Sequence, residues 1–296
     1  LAQSIPNEAD PGKILRSIEP PVSHPNEALP EVIREQEPET PAMPSDADSI
    51  TFRLDGITFS GNSVFSNSEI AEAVTGGLLG KTVSLHQIFD MTAQITQMYQ
   101  SQGYILSKAY LPPQEIENGT IQINIVEGYI ARVRTEGNFH SHPLIDKIID
   151  RITASRPLRA NDLERYLLQL RDLAGLDVRS ILEPLDTREA EGAVGMLLVM
   201  NAIKAPPTVT ASINNDGSRY VGPGQARVTT EKKDLFGAYG TTNLSLLATT
   251  PESRELTYVS LQQTLPLTIP GLMLTVNGSY NVTRPGFTLR DRDIES

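Results

Sequence analysis

Two histidines, His140 and His142, stand one residue apart, close enough to share a metal ion if further donors joined them. The chain has no cysteine to complete such a set, and a His-x-His between a strand and a helix reads as loop surface. Phosphate chemistry has no foothold either, because no glycine-rich loop ends in Gly-Lys-Ser/Thr. Ser, His and Asp are present, but none lies in the tight elbow motif that exposes a nucleophile. Gly222-Pro223-Gly224 reads as a hairpin turn, and Lys232-Lys233-Asp234 as a solvated strand end. The side chains thus point away from an enzyme, a cofactor, a metal or a small-molecule substrate. What remains is the chemistry of the main chain. Ile105, Leu106, Ser107, Lys108, Ala109, Tyr110 and Leu111 run into Pro112-Pro113, which removes two successive N–H donors. Such a segment closes a strand or lies on a sheet edge.

The elements that would position this strand can be read from local signals. Thr51 to Ser60 reads as one strand with an irregularity at Gly56. Ser66-x-x-Glu69 and Ser84-x-x-Gln87 are capping boxes, each opening a helix. The first helix stops at Gly76-Gly77; the second carries Leu85, Ile88, Phe89, Thr92, Ile95 and Tyr99 at helical spacing and stops at Gly103. After the Pro-Pro strand, Ile121, Ile123 and Ile125 alternate with Gln122 and Asn124, and the run ends at Glu127-Gly128. The order is β-α-α-β-β. It recurs after about 75 residues, with Ile130 to Thr135, helices around Leu144–Ile152 and Leu163–Ala174, then Val178 to Pro184 and Val194 to Ile203. Parallel β-α-β winding would alternate strand and helix instead.

The wording from Gly103 to Gln114, roughly G-Y-x-L-x-x-A-Y-L-P-P-Q, followed by Val126-Glu127-Gly128, resembles the first POTRA domain of the outer-membrane transporters of two-partner secretion, the TpsB or hemolysin-activator type. The resemblance implies an α+β pair of tandem POTRA domains followed by a 16-stranded transmembrane β-barrel. It implies residues 1–49 as a leader, 50–128 and 129–204 as the POTRA domains, and 205–296 as the N-terminal strands of the barrel. In the leader, Ile14, Leu15 and Ile18 share a helical face after Pro11, and the resemblance implies a helix that plugs the pore. The partner implied is a large unfolded exoprotein, an adhesin or hemolysin, held through its N-terminal secretion domain. A POTRA sheet leaves an edge strand free to template an extended segment. The edge expected to hold the client is Ile105 to Leu111, with Glu127 and Gly128 shaping the joint between the two units.

Composition fits this frame. The net charge of −11 argues against a nucleic-acid partner. Residues 1–50 hold ten acids against Lys13, Arg16 and Arg34, so most of the excess lies in the Pro/Glu-rich leader. Leu1-Ala2-Gln3 resembles the tail of a signal-peptide cleavage site. No apolar run approaches the roughly 20 residues of a membrane helix. After Ala205-Pro206-Pro207 the segments alternate, most clearly Leu272, Leu274, Val276, Gly278, Tyr280 and Val282 against small polar neighbours. That pattern suits lipid-facing and lumen-facing positions of a membrane strand, or equally a soluble sheet with one wet face. The resemblance favours the first, with outer-membrane lipid as a second partner and the repeats in the periplasm. About five such strands are too few to close a barrel, so the chain is expected to be an N-terminal fragment. An outer-membrane protein assembly factor (insertase) and a soluble periplasmic POTRA scaffold are the alternatives.

Overall fold

A computed structural model describes residues 32–34, 43–44, 46–116, 118–185, 191–218, 222–250 and 255–284. The expected plug helix at Ile14, Leu15 and Ile18 lies outside them.

The first unit begins with two short strands, β2 (Thr51–Arg53) and β3 (Gly56–Ser60), where one was expected. The strand changes partner in the middle. β2 pairs antiparallel with β4 (Thr82–Ser84), whereas β3 pairs parallel with β6 (Thr120–Val126). Leu54, fully buried at the switch, takes its backbone bonds from Gly80 and Lys81, and Asp55 N–H goes to Gly119 O. Helix α1 (Asn67–Thr75) has both bonds of its Ser66/Glu69 capping box and ends at Gly76 in the left-handed region. Helix α2 (Leu85–Ser101) has the matching Ser84/Gln87 box. Both pack on the sheet β3-β6-β5, where β5 is Lys108–Tyr110. Ile121, Ile123 and Ile125 on β6 meet Ile88, Met91, Ile95 and Tyr99 of α2 in one core. Burying each such isoleucine stabilises the unit by about 1.5–3 kcal/mol before entropy is charged against it.

The second unit repeats the scheme with β7 (Tyr129–Glu136), α3 (Pro143–Ala154), α4 (Ala160–Arg171), β8 (Leu176–Pro184) and β9 (Ala193–Ala202). Its sheet runs β1-β8-β9-β7 and has one member the sequence did not suggest: β1 (Val32–Arg34), from the leader, pairs parallel with β8. Leu144, Ile145, Ile148 and Ile152 of α3 join Leu163, Leu167 and Leu170 of α4 over Met196, Leu198 and Met200 of β9.

Five antiparallel strands follow as a meander: β10 (Thr208–Asn214), β11 (Gly224–Lys233), β12 (Thr241–Thr250), β13 (Leu256–Pro266) and β14 (Met273–Thr283). The sheet is not closed: among the described residues β10 and β14 are its free edges. The fold is thus two βααββ units followed by an antiparallel sheet that is part of a barrel.

Candidate functional site

The edge expected at Ile105 to Leu111 is shorter and less open than the sequence suggests. Only Lys108–Tyr110 forms a strand. Ile105, Leu106 and Ser107 belong to the turn after α2, where Ile105 N–H bonds Gly103 O (3.0 Å) and Ser107 N–H bonds Tyr104 O (3.1 Å). Leu111 follows the strand and packs against the first unit's core. Ser107 is buried, and its hydroxyl accepts the Gly128 N–H (3.3 Å). Strand β5 does lie at the edge, antiparallel to β6. In such a ladder alternate residues turn both backbone groups away from the partner. Ala109 is the outward-turned residue, and its N–H is already taken by Thr96 Oγ1 of α2 (2.9 Å). That hydroxyl also donates to Thr92 O (2.9 Å), so both its roles are filled.

The edge of the second unit is different. β8 is nine residues long. Its inner side pairs with β9, and its outer side carries β1 in the register Val32↔Ser180, Ile33↔Ile181 and Arg34↔Leu182. An extended segment thus already lies on this edge through main-chain pairing.

Glu127 and Gly128 divide the work assigned to them jointly. Glu127 turns back into the first unit, where its carboxylate accepts from Ser63 N–H (2.6 Å), Val64 N–H (2.9 Å), the Ser63 hydroxyl and Tyr99 Oη (2.8 Å). Burial alone would raise its pKa, but these donors outweigh it and hold the carboxyl below its ordinary range. The same contact, after desolvation, pushes the Tyr99 hydroxyl well above its usual range. A depressed carboxylate contributes stability that is complete above the unfolded pKa and lost as pH falls through the folded one. The first unit should therefore lose stability on acidification below about pH 4.5, and Glu127→Gln should flatten that loss in urea melts taken between pH 6 and 3. An unchanged slope in the variant would show that other carboxylates carry it.

Gly128 is the joint proper. Its carbonyl accepts from Leu158 N–H of the second unit (2.9 Å). The sequence placed glycine at this joint; the structure gives the reason. An added Cβ would lie 2.3 Å from Leu106 O and 2.6 Å from Leu106 Cβ, so glycine is needed for close approach. Around it, Ala160 N–H, which has no side-chain cap on α4, bonds Gly103 O (2.8 Å). Arg156 lies over the Tyr129 ring at 4.1 Å and Arg159 over Tyr104 at 5.6 Å. Tyr110 Oη donates to Glu191 Oε1 (2.6 Å), tying β5 to the connection before β9.

His140 and His142 hold the second unit to the five-stranded sheet. His142 Nδ1 accepts the Leu144 N–H (3.2 Å) and caps α3. Tyr239, from the connection between β11 and β12, is buried in the second unit's core. Its hydroxyl donates to His140 O (2.6 Å) and accepts from His140 N–H (2.8 Å). Tyr239 N–H bonds Asp234 Oδ1 (2.7 Å), and its carbonyl accepts from Ala174 N–H (3.0 Å). Nothing local in the sequence marks this tyrosine. The next connection at the same end adds Lys147 Nζ to Thr268 O (3.0 Å).

The sheet's two faces sort by residue type. Register places Val209 and Ala211 beside Thr230 and Val228, then Leu244 and Leu246, Leu261 and Val259, and Gly278 and Tyr280, all on one face. Several of these are exposed, among them Val209, Leu246, Leu261 and Tyr280, as is Ile213 farther along β10. The opposite face carries Glu231, Asn243, Gln262 and Asn277 in one row. It is not wholly polar, since Leu247 and Tyr258 are paired there and buried. A large exposed apolar face is costly in water and ordinary in lipid.

Residues 52–128 match the family described as POTRA domain, ShlB-type. Among curated proteins, the chain is 28% identical over 175 residues to the heme/hemopexin transporter protein HuxB of Haemophilus influenzae (strain 86-028NP), covering 57% of this chain and 30% of that protein. It is 23% identical over 201 residues to the hemolysin transporter protein ShlB of Serratia marcescens, covering 68% and 34%. The chain therefore spans about a third of the length of these relatives. Among solved structures, CdiB from Escherichia coli superposes with a TM-score of 0.62 at 21% identity, over 82% of this chain and 44% of that one, a likeness of fold. Through the ShlB-type POTRA match at residues 52–128, the chain is similar to part of the transporter proteins HuxB and ShlB.

Proposed function

We propose that this chain is the periplasmic region and first membrane strands of an outer-membrane transporter that passes a large unfolded exoprotein to the cell surface. The POTRA units hold the exoprotein's N-terminal secretion domain, and the barrel gives it a path. No nucleotide is needed if folding of the client outside draws it through. The observation that carries this reading is β1 on β8: a sheet edge in the second unit that holds an extended segment by its backbone. Pairing of that kind tolerates sequence, which suits a carrier of unfolded chains. We place client capture at this outer edge of β8, in exchange with β1, rather than at Ile105 to Leu111, because Thr96 already takes the outward N–H of the three-residue β5.

The test uses the absence of cysteine. The register makes Ile33 and Ile181 backbone partners on adjacent strands, whose spacing of about 4.8 Å falls in the Cα range a disulfide spans. In cells making the transporter and its exoprotein, the double variant Ile33→Cys/Ile181→Cys should secrete under reducing conditions and stall when oxidised, with the exoprotein retained in the periplasm. Full cross-linking without a block would remove β8 as the docking edge. Normal secretion by cells lacking the transporter altogether would remove the transport reading itself.

A further inference from the structure

The two ends of the five-stranded sheet differ in a way that membrane-spanning rows alone do not require. At the end toward the second unit lie two connections, residues 234–240 between β11 and β12 and residues 267–272 between β13 and β14. The first reads Asp-Leu-Phe-Gly-Ala-Tyr-Gly and the second Leu-Thr-Ile-Pro-Gly-Leu. Their single charged residue, Asp234, is occupied with the Tyr239 N–H. At the other end, the described residues include the charged Asp216 and Glu255. Beyond Asp234, the two connections toward the second unit carry no charge of their own.

The apolar residues of these connections are also exposed. Phe236 is 71% exposed, Leu235 51%, Ile269 56% and Leu272 46%. Gly237, at the tip beside Phe236, has nothing within 4 Å of where a Cβ would stand, so the tip projects into open space. Isolated exposed apolar side chains need no explanation, but four in two neighbouring turns make a patch. The patch lies beyond the end of the apolar face, past the Lys232–Thr242 pair, whose lysine Nζ donates to Ala205 O. Tyr239 meanwhile roots the same turn in the second unit, so the turn has one side in protein and one side free. Lys204 and Lys233, both exposed, flank it with ammonium groups suited to phosphate oxygens.

We infer that Leu235, Phe236, Ile269 and Leu272 seat in the interfacial layer of the periplasmic phospholipid leaflet, with Lys204 and Lys233 at the headgroup phosphates. This rests on the membrane reading of the sheet. Apolar side chains at that boundary bury to a depth of about 5–10 Å. Since Tyr239 belongs to the same turn, the leaflet would then fix the height and tilt of the second POTRA unit.

Spin labels at Phe236→Cys and, separately, at Val228→Cys test it in the membrane-assembled protein in phospholipid liposomes. Val228 lies on the apolar face of β11 and reports the membrane reading itself. The expected result is frequent collision with oxygen and little with a water-soluble nickel chelate at both positions, with Val228 the deeper. Strong nickel-chelate collision at 236 with Val228 still in lipid would overturn the anchor and leave the barrel standing. Nickel-chelate access at both would overturn the membrane reading. Protection of 236 from both reagents would place it against protein, and the leaflet assignment would fall.

Discussion

Tyr239→Ala should detach the five-stranded sheet from the second βααββ unit. The ring fills a core shared with α3, α4 and β9, and its hydroxyl serves both backbone groups of His140. Removing a buried aromatic side chain costs about 3–5 kcal/mol, from lost transfer energy and the cavity left behind. Tyr239→Phe keeps the ring and gives up only the hydroxyl's bonds, for a loss of about 1–3 kcal/mol because buried groups are left unpaired. Hydrogen exchange separates the two. Protection at the His140 amide should fall in both variants, whereas protection across α3 should fall only in Tyr239→Ala. Wild-type exchange throughout in Tyr239→Ala would mean that the contact carries no load.

Gly128→Ala should open the joint between the units. The new methyl would meet Leu106 O at 2.3 Å, a backbone atom that cannot swing aside. Overpacking of this kind costs about 1–3 kcal/mol, more when backbone must move. The Leu158 amide, bonded to Gly128 O, should lose protection first, and the melting temperature of the tandem units should drop. Gly76→Ala is the control. Gly76 caps helix α1, and an added Cβ there meets nothing within 4 Å, so only the strain of a positive φ is felt. If Gly76→Ala proved the more damaging, close approach at 128 would not be what the joint depends on.

Local signals made much of the fold legible. The Ser66/Glu69 and Ser84/Gln87 boxes act over three residues, and each forms as its spacing implies. The period-two run Ile121, Ile123, Ile125 names its own buried face. The site was less legible because its decisive contacts join distant residues. Thr96 lies on a helix face with no signal that its hydroxyl meets Ala109 thirteen residues on. Val32 to Arg34 sits in a Pro/Glu-rich leader with too few apolar residues to suggest a strand, and pairs some 150 residues away. The break at Leu54 follows from which partners reach it, and alternation along the strand is blind to that. Tyr239 was hidden for the same reason: its value comes from a core built by another part of the chain.

The hydroxyl of Thr96 has a consequence for association. A bare sheet edge is a template on which other extended chains, including further copies of the same protein, can pair. With the outward N–H of Ala109 satisfied from within, the exposed edge of β5 lacks the donor that such pairing would use at its centre. The short strand is thus blunted by a helix of its own unit.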